Sequence, residues 1–155
     1  MNARMDARMD ERRDARTDAP TKAHIWIIDD DSDHREITKH ILQSAGFAVT
    51  CSHDPDAALA AMSGAVPDLV ITDLMMGSLD AGFVLARRMR ENARLAHVPL
   101  IVLTAVGKYL GLDFKPRSSA DLAAMHVDAF MEKPARPEAL LATVRRLLAV
   151  RSQNQ

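Results

Sequence analysis

The sequence lacks the features that mark exported and membrane proteins. Its single cysteine, Cys51, cannot form an internal disulfide, so a reducing compartment is the natural setting. No apolar run approaches the ~18 residues that cross a bilayer, and the N-terminus has no hydrophobic export segment. The formal net charge of −1 provides no long-range attraction to nucleic acid or anionic lipid. We therefore expect a cytoplasmic protein with neither a membrane nor a nucleic-acid partner.

The six histidines show no paired metal-ligand spacing, which argues against a zinc site. The chain does contain 48% hydrophobic and 26% charged residues over 155 positions. These are the proportions and the length of one globular domain with a substantial core.

Residues 1–23 differ from the rest of the chain. Ala3–Asp10 repeats a unit of four residues, and the remainder mixes Arg, Asp and Glu with almost no bulky apolar side chains. A segment without apolar side chains to bury does not gain enough free energy to fold by itself. We predict a disordered tail here, with a partner-binding arm as the alternative. The folded domain is expected over residues 24–150, followed by a short tail, 151–155.

Short apolar runs alternate with helix-like segments from His24 onward. Strands are predicted at Ile25–Ile28, Phe47–Cys51, Asp68–Thr72, Pro99–Leu103 and Val127–Met131. Helices are predicted at Asp33–Ala45, Asp54–Met62 and Gly82–Glu91, with another beginning at Pro137. In the first helix, the apolar face is assigned to Ile37, Ile41, Leu42 and Ala45. The alternation predicts an α/β fold, with a parallel sheet covered by helices on both faces.

The segment Gly107–Met125 is irregular, because two glycines and Pro116 interrupt any helical period. A long irregular segment in a compact domain is more often functional than accidental. We expect a functional loop here, with an irregular or shortened fourth helix.

Four of the predicted strands end in polar groups. Asp29 and Asp30 follow the first strand, Asp73 the third, Thr104 the fourth and Lys133 the fifth. The carboxyl ends of parallel strands share one edge of a sheet, where ligands of open α/β folds bind. Carboxylates, a hydroxyl and an ammonium meeting there indicate a divalent cation and a phosphoryl group. This interpretation makes Asp73 a site of phosphorylation.

Each of these groups has a role in the chemistry of an acyl phosphate. A carboxylate can approach a phosphoryl group only if the charge on the phosphoryl oxygens is neutralised, which Mg²⁺ does with oxygen ligands. Asp73 is then both nucleophile and metal ligand, Asp30 the second carboxylate, and Asp29 a ligand through water. The backbone carbonyl of Met75 can face the same ion. The Lys133 ammonium and the Thr104 hydroxyl are expected on the phosphoryl oxygens.

The chain resembles the receiver domain of two-component response regulators. Ile27–Asp31 is similar to the family's acidic pair, Asp73–Met76 to its phosphorylation site and Leu103–Ala105 to its switch threonine. Lys133-Pro134 is similar to the lysine and cis-proline of the family, and Phe130 stands where it has a switch aromatic. The resemblance implies a flavodoxin-like, doubly wound sheet of five strands in the order 2-1-3-4-5. It also implies that a sensor histidine kinase or a histidine phosphotransfer protein donates the phosphoryl group.

The sequence departs from the family pattern in two places. Gly77 follows Met76 where the family has proline, and Asp80-Ala81-Gly82 holds an extra residue, so we expect an altered loop beside Asp73. The second departure is the irregular segment after Thr104, which alters the family's usual signalling face.

We weigh three functions. The preferred one is a stand-alone receiver domain that catalyses only its own phosphorylation and dephosphorylation, with Mg²⁺ or Mn²⁺, and that signals by contacting a downstream protein. About 22 residues follow Lys133, too few for a DNA-binding module. A scaffold that is never phosphorylated is the alternative, although it would not need Asp73, Thr104 and Lys133. A small phosphohydrolase is disfavoured, because Met75 cannot serve as the general acid two residues after the nucleophile.

Overall fold

The computed structural model describes residues 22–77, 80–105 and 126–153, with only the backbone described for Thr104, Ser152 and Gln153. The strands are β1 (His24–Ile28), β2 (Ala48–Ser52), β3 (Leu69–Thr72), β4 (Leu100–Thr104) and β5 (Ala129–Glu132). The helices are α1 (Ser32–Ser44), α2 (Pro55–Gly64), α3 (Ala81–Glu91) and α4 (Pro137–Gln153). No helix in the described ranges is long and apolar enough to cross a membrane.

The five strands form one parallel sheet in the order β2-β1-β3-β4-β5. The order predicted from the resemblance is therefore confirmed. β1 lies between β2 and β3, and Ile28 pairs in register with Ser52 on one side and Thr72 on the other. All four residues of β3 are buried, as expected for a central strand with helices on both faces.

Alternation along β1 divides the apolar residues between two cores. Trp26 and Ile28 pack on one face of the sheet with residues of α2 and α3. Ile25 and Ile27 pack on the other face with residues of α1 and α4. Because side chains of a strand alternate between faces, the part of a strand that is buried on both sides must be apolar, as Ile25–Ile28 are.

Aspartates cap the first two helices. The Asp31 side chain accepts hydrogen bonds from the backbone N–H groups of Asp33 and His34, and Asp54 does the same for Asp56. Pro55 occupies the first position of α2, where its missing N–H costs no helical hydrogen bond. These caps fix the residue at which each helix begins, and therefore the conformation of the short loop between the strand and the helix.

Within the described residues, the five predicted strands and the four helices predicted with them are present, with the predicted bounds displaced by at most two residues. One predicted side-chain assignment is wrong. Ile37 is 59% exposed, and the buried positions of α1 are Thr38 and Leu42. Ile37 precedes Thr38 by one residue, which turns it about 100° away from the sheet. A short polar side chain thus occupies the position that the apolar pattern had assigned to isoleucine.

The remaining predictions about chain organisation fall largely outside the described residues. These are the tail at residues 1–23, apart from Lys22 and Ala23, and the loop at 107–125 with its irregular fourth helix. At the other end α4 continues to Gln153, three residues past the predicted domain boundary. Arg151 of that helix donates hydrogen bonds to the Pro67 carbonyl and to the Asp68 carboxylate, which ties the helix end to the start of β3.

Candidate functional site

The site lies where the chain changes direction across the sheet. From β1 the chain passes to β2 at one edge and then crosses back to β3 on the other side of β1. The helices that follow β1 and β3 therefore leave on opposite faces, which opens a crevice beyond the carboxyl ends of these strands. Asp29 and Asp73 are the first residues past the two strands. Their backbone N–H groups donate to the Ser52 and Ile28 carbonyls, which holds both aspartates in line with the sheet.

Three carboxylates meet in this crevice. Oxygens of Asp29, Asp30 and Asp73 lie within 4.8 Å of one another. Asp29 and Asp73 are only 3% and 8% exposed, whereas Asp30 faces solvent. Clustered oxygen donors of this kind, with one side open to water, fit Mg²⁺ or Mn²⁺. The donor set therefore fits the predicted ion, which these three side chains would hold.

Lys133 joins two of the carboxylates. Its Nζ lies 2.9 Å from Oδ2 of Asp29 and 3.2 Å from Oδ2 of Asp73. The residue follows β5, at the far edge of the sheet from β2, and its side chain is only 12% exposed. The peptide bond between Lys133 and Pro134 is cis. The tertiary structure thus brings together groups that are 60 and 104 residues apart in the chain.

Electrostatics keep the Asp29–Lys133 pair charged. Burial by itself would raise the pKa of Asp29, but hydrogen bonds from His34, Lys133 and the Asp31 backbone bring that pKa below its ordinary value. Burial would likewise lower the pKa of Lys133, but its bonds to the two carboxylates raise that pKa above the usual lysine value. Both groups are therefore ionised around neutral pH, and the ammonium offsets part of the negative charge of the cluster.

The other predicted site residues are less fully described. Thr104 ends β4, where its backbone pairs with Glu132 of β5, and its side chain is outside what the structure describes. Phe130 is half-buried and packs on the core that includes Val102. Met75 lies two residues past Asp73, and the residue is 37% exposed. The switch roles of Thr104 and Phe130 and the metal contact of the Met75 carbonyl remain predictions.

Two residues at the site were missed from the sequence. His34 Nδ1 lies 2.9 Å from Oδ2 of Asp29, and Arg35 Nη1 donates to the Asp29 carbonyl at 2.6 Å. Both stand on the first turn of α1, a helix that the sequence predicted over Asp33–Ala45. The helical turn brings residues five and six positions on back towards Asp29. The predicted position of His34 and Arg35 on that turn could have identified them as neighbours of Asp29.

The family model for the response regulator receiver domain matches residues 25–145 of the chain. The chain belongs to this family. The match spans the sheet and the site, from β1 into α4.

Curated relatives of the receiver domain are longer proteins. The transcriptional regulatory protein FixJ of Bradyrhizobium diazoefficiens is 35% identical over 124 residues, which cover 80% of this chain and 56% of that protein. The DNA-binding dual master transcriptional regulator RpaA of a Synechocystis species is 35% identical over 128 residues, covering 80% and 48%. The chain thus spans about half the length of the curated relatives it matches. Because RpaA is a DNA-binding regulator, these relatives lend no support to the expectation that nucleic acid is not a partner.

Solved structures of the family share the fold. The chemotaxis response regulator CheY4 of Vibrio cholerae is 28% identical with a TM-score of 0.69, over 82% of this chain and 99% of that one. A CheY-like receiver domain protein from Methanospirillum hungatei gives a TM-score of 0.72 at 21% identity, over 87% and 100%. At 21% identity, the similarity to the second structure shows only that the two proteins share a fold.

Proposed function

We propose that the receiver domain accepts a phosphoryl group on Asp73, in a Mg²⁺-dependent reaction. The donor is a phosphohistidine of a sensor histidine kinase or of a histidine phosphotransfer protein. The observation that carries this proposal is the Lys133 ammonium, which contacts the carboxylates of both Asp29 and Asp73 within the acidic cluster. A cation held beside a buried carboxylate favours the approach of an anionic phosphoryl group, which would otherwise be repelled.

The transfer involves one bond made and one bond broken. An oxygen of Asp73 attacks the phosphorus atom, and the phosphorus–nitrogen bond of the donor histidine breaks. The electron pair stays on the imidazole nitrogen, which takes up a proton. Mg²⁺, held by Asp29, Asp30 and Asp73, would neutralise charge on the phosphoryl oxygens. Lys133 contacts Asp73 already, so a short movement of its flexible side chain reaches those oxygens.

The output of the receiver domain is proposed to be a protein contact. A net charge of −1 gives the chain no long-range attraction to a nucleic-acid backbone. Fluorescence anisotropy with a labelled DNA duplex of random sequence tests this, with and without the acyl-phosphate mimic beryllofluoride. We expect no binding at physiological salt, and binding that depends on beryllofluoride would contradict the proposal.

The phosphorylation is tested by intact-mass measurement. The purified chain is incubated with acetyl phosphate and Mg²⁺, and a gain of one phosphoryl group is expected. Asp73→Asn keeps the shape of the side chain but removes the nucleophilic charge, so this variant should gain nothing. Asp56→Asn, at a 75% exposed position on α2, is the matched control and should gain as much as the unchanged protein. A mass gain in Asp73→Asn, or an equal gain in EDTA, would refute the proposal.

A further inference from the structure

The Asp29 carboxylate accepts more hydrogen bonds than a metal ligand needs. Its Oδ1 accepts a hydrogen bond from the backbone N–H of Asp31 at 2.9 Å. Its Oδ2 accepts two, from Lys133 Nζ and from His34 Nδ1, each at 2.9 Å. A carboxylate oxygen has two lone pairs, so Oδ2 is fully used while Oδ1 keeps one acceptor position. These contacts decide which oxygen of Asp29 is presented to the crevice.

The two donors to Oδ2 come from very different places. Lys133 directly follows β5 and also contacts Asp73, the proposed phosphorylation site. His34 belongs to the first turn of α1, and its backbone N–H is fixed by the Asp31 side chain at 3.2 Å. Because Asp31 is in turn bonded to Asp29, the His34 contact is local and does not depend on the position of β5. Of the two donors, only Lys133 has a reason to change partner.

Phosphorylation gives Lys133 that reason. The negative charge of the Asp73 carboxylate moves outward onto the phosphoryl oxygens, which attract the ammonium. Oδ2 of Asp29, whose side chain is only 4% exposed, then keeps the hydrogen bond from His34 alone. A buried carboxylate oxygen without a hydrogen bond is strongly unfavourable. His34 is already in place, with a side chain that is 17% exposed.

We propose that His34 is a positioning residue of the phosphorylated state, which keeps Oδ2 of Asp29 hydrogen-bonded when Lys133 turns to the phosphoryl group. The imidazole touches neither the phosphoryl group nor the nucleophile and acts through Asp29. This inference rests on the proposed function. It requires that loss of the imidazole donor weaken the phosphorylated state much more than the unphosphorylated, Mg²⁺-bound state, in which Lys133 still covers Oδ2.

Calorimetric titration measures the two states separately. Each variant is titrated first with Mg²⁺ alone and then with beryllofluoride at saturating Mg²⁺. His34→Leu removes the hydrogen-bond donor and keeps a side chain of similar size. His34→Ala removes the donor with a smaller side chain, and it replaces the leucine variant if that variant does not fold. In both, Mg²⁺ affinity should stay within about twofold of the unchanged protein, while beryllofluoride affinity falls about tenfold, the usual cost of losing a hydrogen bond to a charged group. His40→Leu, on an exposed position of the same helix, is the control and should change neither affinity.

Rescue separates a hydrogen-bonding role from a merely structural one. The side-chain nitrogen of asparagine occupies nearly the same place as Nδ1 of histidine, so His34→Asn should recover most of the beryllofluoride affinity. If His34→Ala binds beryllofluoride as tightly as the unchanged protein, the inference is overturned and the proposed function stands. Equal losses of Mg²⁺ and beryllofluoride affinity, or an asparagine variant no better than alanine, also overturn it. If the unchanged protein neither binds beryllofluoride nor gains a phosphoryl group, the proposed function falls and the inference with it.

Discussion

Gly82 packs directly on the backbone of Asp73. A Cβ atom at position 82 would lie 2.6 Å from the Asp73 carbonyl oxygen and 2.8 Å from the Cα of Leu74. The backbone N–H of Gly82 also donates to the Leu74 carbonyl at 2.7 Å. Glycine at the start of α3 therefore lets the helix approach the segment that carries the proposed nucleophile. Only a residue without a side chain permits this approach, because the neighbouring atoms belong to the backbone and cannot rotate away.

Gly82→Ala is expected to displace Asp73 and to destabilise the domain. Alanine is the better helix former, but forced repacking against backbone costs about 1–3 kcal/mol and outweighs that gain. We expect a lower unfolding midpoint in urea and slower phosphorylation by acetyl phosphate. Gly64→Ala is the matched control, because a Cβ at the end of α2 meets nothing within 4 Å. If the two alanine variants behave alike, the packing on Asp73 does not constrain the site.

Mg²⁺ is expected to stabilise the unphosphorylated domain. The clustered carboxylates of Asp29, Asp30 and Asp73 repel one another, and an ion that binds only the folded state adds to its stability. At ten times the dissociation constant the gain is about 1.4 kcal/mol, or roughly 3–5 °C in the melting midpoint. Asp30→Asn should lose most of this shift, while Asp33→Asn, on the exposed first turn of α1, should keep it. An equal shift in Asp30→Asn would contradict the assignment of that ligand.

Lys133→Met should make the domain depend more strongly on Mg²⁺. Removal of the ammonium leaves the buried carboxylates of Asp29 and Asp73 without their cation, which costs about 1–3 kcal/mol in EDTA because His34 and Asp31 still bind Asp29. Added Mg²⁺ supplies positive charge at the same cluster. The increase in melting midpoint with Mg²⁺ should therefore be larger in Lys133→Met than in the unchanged protein or in a Lys39→Met control. Equal increases would show that Lys133 does little to balance the charge of the site.

The stability of the metal-free domain should fall at both ends of the pH range. The pKa of Asp29 lies below its ordinary 3.8 in the folded state, so the unfolded chain binds more protons, and this stability is lost as pH falls through the folded value. The pKa of Lys133 lies above its ordinary 10.5, so its contribution is present below that pH and is lost as pH rises past the folded value. Urea unfolding in EDTA, from about pH 5 down to pH 3 and above about pH 10, measures both losses.

Asp29→Asn is the comparison for this pH dependence. The variant cannot titrate at position 29, and it lacks the main partner that raises the pKa of Lys133. Its stability should therefore vary less with pH at both ends. A variant whose stability falls as steeply as that of the unchanged protein would mean that other groups set the pH dependence.

Much of the fold and of the site could be predicted from the order of residues. Apolar runs alternating with helix-like segments predicted the parallel sheet, and polar residues just after three strands placed Asp29, Asp73 and Lys133 at one edge. The physical reason is that parallel strands all end on the same side of a sheet. A residue one position past such a strand therefore reaches that edge whatever the detailed packing is.

The sequence by itself determined the strands, their common direction and the chemical groups at their ends. Only the tertiary structure decided which groups touch. The apolar pattern could not set the rotation of α1, so Thr38 rather than Ile37 faces the sheet. It could not show that His34 and Lys133 share one oxygen of Asp29, or that Gly82 rests on Asp73. Such contacts depend on displacements of an ångström between elements, which packing of the whole core sets and local periodicity does not.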